Sequence, residues 1–134
     1  MRISKFRLLA LFSVLAAMFL TAACGGNSSE SDEANAQAIA DGLKIYETGG
    51  ASQVPCLTCH TLDGTELVGP SFQGVGERAG TRIDGLSAEE YLRQSIREPH
   101  AFLVPGYEAT MPTNYPELLS DEDIENVIAF LLSQ

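Results

Sequence analysis

Cys56-Leu57-Thr58-Cys59-His60 places two thiols and an imidazole within five consecutive residues. Residues of these types at this spacing can support three chemistries. A Cys-x-x-Cys pair can cycle between dithiol and disulfide, in which case it sits beside a strand in a βαβ pattern. Cysteine and histidine can hold zinc, which takes four such ligands, usually as two separated pairs with short spacers. Cys-x-x-Cys-His is also the attachment signature of c-type haem. In that chemistry the two thiols add to the two vinyl groups, and the two intervening residues set the distance between the sulfurs. The adjacent imidazole is then carried beneath the macrocycle, where it can ligate iron.

The rest of the chain weighs these readings. No βαβ pattern accompanies the motif, so a redox dithiol has no platform. A zinc set would have to combine Cys56, Cys59, His60 and His100, using the adjacent Cys59 and His60 together, and His100 has no ligand-like neighbour. Haem attachment agrees with three further features: an export signal, a shortage of apolar core, and an available sixth ligand. Past the leader the chain has one methionine, Met111, and one histidine besides His60, which is His100. Met111 lies in the polar, proline-containing loop Ala-Thr-Met-Pro-Thr-Asn-Tyr-Pro, an unusual place for a residue that is more often core filler. His-Met ligation raises a haem potential and suits electron transfer, which favours Met111; His100 would give a bis-His site of lower potential.

The leader has the layout of an export signal. Arg2, Lys5 and Arg7 form a basic start, Leu8 to Leu20 is apolar apart from Ser13, and Ala22-Ala23-Cys24 follows. The apolar run falls short of the roughly 20 residues that a spanning helix needs. A retained anchor helix is the other reading of residues 1–23. Leu-Thr-Ala-Ala-Cys, residues 20–24, resembles the lipobox of bacterial lipoproteins, which implies a lipidated Cys24 at the mature N-terminus. The alternative is a plain signal cut near Ala23, which would leave Cys24 as an unexplained thiol. Lipid on Cys24 would hold the protein at a membrane surface. Beyond residue 23 the chain carries five basic and 18 acidic residues, a net charge of −13. That balance excludes nucleic acid, which needs a basic footprint. It also calls for partners that present positive charge.

Gly25 to Glu33 is rich in glycine, serine and acid, and reads as a flexible tether. A helix is expected over 34–48, with Ile39, Leu43, Tyr46 and Gly42 on one face and Gly49-Gly50 as its stop. Gly42 in a helix interior costs about 1 kcal/mol relative to alanine, which suggests that another backbone approaches closely. The glycine-rich stretch 64–85 reads as loop throughout. Ser87 and Glu90 form a capping box for a second helix that ends near Arg97, before Pro99. Residues 99–116, with four prolines, read as a long extended loop. A last helix starts at Ser120, with Asp121, Glu122 and Asp123 in its first turn and Ile124, Val127, Ile128 and Leu131 on its apolar face. Three helices and long loops make a thin core, and small domains of that kind commonly need a metal, disulfide or cofactor as a staple.

From about Ala36 to Gln134 the sequence resembles a small class I cytochrome c domain. The motifs that carry the resemblance are DGLKIYETGGASQVPCLTCH, VGPSF, YLRQSIREPHAFLVPGYEATMP and LLSDEDIENVIAFLLS. It is most similar in flavour to the mono-haem domains appended to membrane respiratory complexes, as in some oxidase second subunits. It also looks like the lipid-anchored mono-haem cytochromes attached to alternative complex III. The resemblance implies an all-α fold, three main helices with long loops wrapped around one covalently bound haem c. It implies thioethers at Cys56 and Cys59, His60 as proximal ligand, Met111 as distal ligand followed by Pro112, and Pro70 as the carbonyl acceptor for the imidazole. It places Gly42 and Tyr46 where the first helix crosses the last near Phe130. Arg78, Arg82 and Tyr107 are candidate propionate partners. The acidic surface departs from the lysine-ringed docking face of soluble mitochondrial-type relatives.

The expected layout is a signal over 1–23, a lipidated N-terminus and acidic linker over 24–35, and a mono-haem domain over 36–134. The expected role is electron transport at the extracytoplasmic face of a bacterial membrane, on the periplasmic side if the cell has an outer membrane. There it would serve or belong to a respiratory or photosynthetic complex. No catalytic acid, base or nucleophile constellation is visible. A gas-sensing or enzymatic haem domain with a labile sixth ligand is the alternative, and a non-haem thiol or zinc module is a third reading.

Overall fold

The computed structural model describes residues 27–134; the expected export signal and Cys24 lie outside the described residues. The chain divides into the units Met1–Asp32 and Glu33–Gln134. Of the first unit, the described residues 27–32 are helical. The second unit carries the elements that follow. Among the described residues there are five α-helices, two single 3₁₀ turns and no strand. No helix among them is long and apolar enough to cross a membrane.

Helix α1 is Asn27–Thr48. It starts seven residues before the expected position. The stretch 27–33, expected as a flexible tether, contains no glycine or proline, so nothing in it interrupts the helix. The stop is as expected: Gly49 takes a left-handed conformation (φ 79°), and its N–H donates to the Ile45 carbonyl at 2.7 Å. The buried face differs from the expected one. Gly42, Ile45 and Tyr46 point inward and Ile39 is partly buried, whereas Leu43 is 36% exposed. The helix is rotated so that Gly42, not the larger Leu43, meets the last helix.

Helix α2, Val75–Ala79, lies inside the stretch expected to be loop. Tertiary packing overrides its weak propensity here. Val75 and Ala79 are buried, and a Cβ on Gly76 would come within 2.4 Å of the Leu132 carbonyl oxygen. Helix α3, Ala88–Arg97, has the expected capping box: the Glu90 N–H donates to Ser87 Oγ at 3.2 Å, and the Ser87 N–H donates to the Glu90 carboxylate at 2.8 Å. It buries Tyr91, Leu92 and Ile96. A single turn, α4 (Tyr115–Leu118), ends the proline-rich segment, and Pro116 is accommodated because the first-turn N–H groups of a helix have no partner to lose.

Helix α5, Asp121–Leu132, opens with a second capping box, Ser120 with Asp123. It contributes Ile124, Val127, Ile128, Phe130 and Leu131 to the core. Arg93 on α3 bridges Glu89 at 2.5 Å and Glu125 of α5 at 2.6 Å, and Arg97 reaches Asp121 at 2.6 Å. These pairs are solvent-exposed, where each contributes at most about 1 kcal/mol. The tighter constraint is steric. An added Cβ on Gly42 would lie 2.0 Å from the Asn126 carbonyl oxygen and 2.7 Å from Phe130 Cβ.

Gly42→Ala is therefore expected to lower the unfolding free energy by about 2–3 kcal/mol through overpacking. At an exposed helix site the same change would raise it by about 1 kcal/mol. Urea unfolding of the two proteins distinguishes the cases, and a more stable variant would refute the close approach.

Candidate cofactor site

The site is built on a tight turn. Pro55 leads into the 3₁₀ turn Cys56–Thr58, and the N–H groups of Cys59 and His60 both donate to the Cys56 carbonyl, at 3.1 and 2.9 Å. The loop that follows folds back onto this turn. Gly69 N–H donates to Cys59 O at 2.9 Å and Phe72 N–H to Thr61 O at 2.7 Å. Ser71 Oγ accepts from Thr61 Oγ1 and from the Gly64 N–H, which stiffens the same loop.

His60 is held from several sides. Its Nδ1 is 2.8 Å from the Pro70 carbonyl oxygen. A carbonyl only accepts, so Nδ1 carries the proton and the neutral ring keeps its Nε2 lone pair for a metal. Burial pushes the His60 pKa below its ordinary value, partly offset by the bond to Pro70, and the neutral form is the ligating one. The Phe72 ring stacks on the imidazole at a centroid distance of 4.3 Å and 9° between planes. Gly69 is needed beneath it, because a Cβ there would come within 2.3 Å of His60 Cε1. Tyr46 donates its hydroxyl to the His60 carbonyl at 2.8 Å, and its ring packs 5.5 Å from Phe130 and 6.1 Å from Phe72.

Cys56, Cys59, His60, Pro70 and Met111 all line one cavity of about 280 Å³. Its walls are mostly apolar and include Leu92, Ile96, Val127 and Leu131, which are also core residues. Tyr115 stands in the same wall, and burial, then the neighbouring cysteines, pushes its phenol up to about 12. An apolar cavity of several hundred Å³ with a few converging polar groups is the usual form of a cofactor site. Here those groups are two thiols, an imidazole and a thioether, which is the donor set that a covalently attached haem requires.

The competing chemistries fit less well. Burial raises the Cys56 pKa, whereas a redox-active thiol needs a lowered one. Among the described residues, no group of three or more His, Cys, Asp or Glu side chains is placed to hold a metal ion, so the zinc set is not assembled. His100 does not line the cavity; it is exposed, and its Nε2 lies 3.1 Å from the Met111 carbonyl oxygen. Arg78, Arg82 and Tyr107 do line the cavity. Arg78 already donates to the carbonyls of Ser71, at 2.9 Å, and Gln73, and Tyr107 shares a hydrogen bond with Glu66.

Sequence reasoning missed three contributors. Phe72 had only the aromatic type in Val-Gly-Pro-Ser-Phe as a signal, and Gly69 only its place before Pro70. Tyr46 was legible as an apolar face residue, but the partner of its hydroxyl lies 14 residues away. No local pattern marks that pairing.

No curated protein matches the chain. The family model for cytochrome c matches residues 30–134, which includes every element of the second unit and all five residues gathered at the cavity. Domains of this family carry covalently attached haem c and exchange electrons with redox partners. On the match and on a donor set that fits the cofactor, the chain belongs to the cytochrome c family.

Proposed function

We propose that this chain is a lipid-tethered electron carrier at the outer face of a bacterial membrane, working through one haem c held by Cys56, Cys59, His60 and Met111. The observation that carries this reading is the gathering of those four side chains around one largely apolar cavity. The haem, when bound, supplies a one-electron iron couple. The chain supplies everything that tunes and protects it. Cys56 and Cys59 provide the thioether sulfurs, and the turn between them sets their separation. His60 offers Nε2, with ring plane and tautomer held by Pro70 and Phe72. Met111 offers its sulfur, and His-Met ligation raises the potential into the range useful for electron transport. The apolar walls exclude water. Were His60 and Met111 both to hold the iron, no coordination position would remain for a substrate, which favours electron exchange over turnover.

The partner is read from charge and exposure. Val54, Val68 and Leu103 line the cavity and are 42%, 56% and 42% exposed, so its mouth opens onto an apolar surface. Residues 45–77 and 98–134 contain no lysine or arginine. Of the basic residues beyond 23, Arg93 and Arg97 are paired across α3 and α5. The reading is a redox partner, or a membrane complex, with a positively charged docking face. The export layout of residues 1–23 and the lipobox-like residues 20–24 support the tether at Cys24, with the haem domain following the linker.

The following expected outcomes test this reading. A pyridine haemochrome spectrum should report one haem c per chain, and Met111→Ala should abolish the ferric thioether–iron band and lower the midpoint potential. A wild-type spectrum without that band, or a spectrum and potential unchanged by the substitution, would remove Met111 as ligand and leave the labile-site alternative. Mass spectrometry of the mature N-terminus should find acyl chains on Cys24; an unmodified terminus would refute the tether. Electron exchange with hexaammineruthenium(III), a cation, should slow as ionic strength rises, while exchange with anionic ferricyanide should quicken. The opposite salt trends would exclude a cationic partner.

A further inference from the structure

We propose that His100 is a positioning residue for Met111: its imidazole, anchored at the end of α3, holds the Met111 main chain at the cavity wall. The proposal rests on the reading of Met111 as distal ligand and adds to it the device that keeps the ligand in place.

Three observations support it. First, His100 Nε2 lies 3.1 Å from the Met111 carbonyl oxygen, across eleven residues of chain. The oxygen can only accept, so Nε2–H is the donor. The nitrogen that would otherwise be free to ligate is committed to the segment carrying the methionine. Second, among the described residues this is the hydrogen bond that reaches residues 111–113. The neighbouring bonds are local: Thr110 N–H to Glu108 O at 2.9 Å, and Glu117 N–H to Asn114 O at 3.1 Å. Such a segment has few constraints beyond the ring of Pro112 and the partial packing of Met111 against the core. Third, the other end of the contact is firm. His100 follows buried Pro99, in a turn closed by Ala101 N–H to Glu98 O at 2.8 Å. That turn continues directly from α3, whose Leu92 and Ile96 are core residues. His100 thus connects a rigid helix end to an otherwise loosely held ligand loop.

A lost tie of this kind should raise the chance that the sulfur leaves its place, without removing the sulfur. The haem-loaded protein is titrated in the ferric state with imidazole, a ligand that competes with the thioether, in wild type, His100→Ala, His100→Gln and Met111→Ala. His100→Ala should retain the thioether–iron band but bind imidazole about fivefold more tightly, the equivalent of one net hydrogen bond. His100→Gln, whose amide N–H can donate at similar reach, should return the affinity toward wild type. The urea midpoint is measured on each, because a merely structural role would lower it and leave imidazole affinity unmoved. Because His100 is exposed, its truncation opens no cavity. If His100→Ala binds imidazole as wild type does, or His100→Gln behaves as His100→Ala, the positioning role is wrong. If wild type shows no such band, or Met111→Ala leaves the spectrum unchanged, the ligand assignment itself fails and takes the proposal with it. Loss of the band in Met111→Ala with no effect in His100→Ala overturns the proposal alone.

Discussion

The absence of a side chain at Gly42 is the constraint from which the site is built. It lets the backbone of α1 come against the Asn126 carbonyl of α5. One turn further along α1, Tyr46 is thereby placed beside Phe130, with Phe72 on its other side. Its hydroxyl then reaches the His60 carbonyl. The chain of contacts runs from a helix crossing, through two aromatic rings, to the backbone of His60. A change of helix angle at Gly42 would be transmitted along it to the imidazole. Helix propensity at this position is a minor term beside that geometry.

Core and cofactor site share one surface in this domain. Leu92, Ile96, Val127 and Leu131 belong to the buried cluster and to the cavity wall. A larger protein can keep its stabilising core away from its active centre. Here, among the described residues, eight of the fourteen buried apolar residues do both jobs. The covalent attachment of haem in this family, which we propose at Cys56 and Cys59, makes physical sense on that basis. A cofactor that completes the core cannot be allowed to exchange, and two thioethers remove that possibility more securely than apolar contact alone.

Features with a local cause were readable in the sequence. The capping box at Ser87, the helix start at Ser120, the stop at Gly49, the apolar face of α5 and the demand for a close approach at Gly42 all follow from a few consecutive residues. The motif 56–60 carried its chemistry in the same way. Features decided by distant partners were not readable. Leu43 fits a helical apolar period as well as Ile45 does, and only the docking of Gly42 on α5 turns it outward. Val75–Ala79 has two glycines at its borders and one inside, and it is helical because Val75 and Ala79 are buried. Residues 27–33 are polar enough to pass for coil, yet nothing in them breaks a helix. By residue type His100 is a candidate ligand, and its contact with the Met111 carbonyl is a different use of the ring.

Among the described residues, helix α5 carries a large share of the core. Ile124, Val127, Ile128, Phe130 and Leu131 all lie on α5, and both helix-to-backbone contacts that demand glycine, at Gly42 and Gly76, are made against it. Residues 56–60 precede α5 by some sixty positions. During synthesis the two thiols and the imidazole therefore emerge well before the element that closes over them. A vectorially exported chain would present an open Cys-x-x-Cys-His segment to the attachment machinery, and burial would come afterwards. The order of elements along the chain thus puts the residues that would take the cofactor ahead of the helix that buries them.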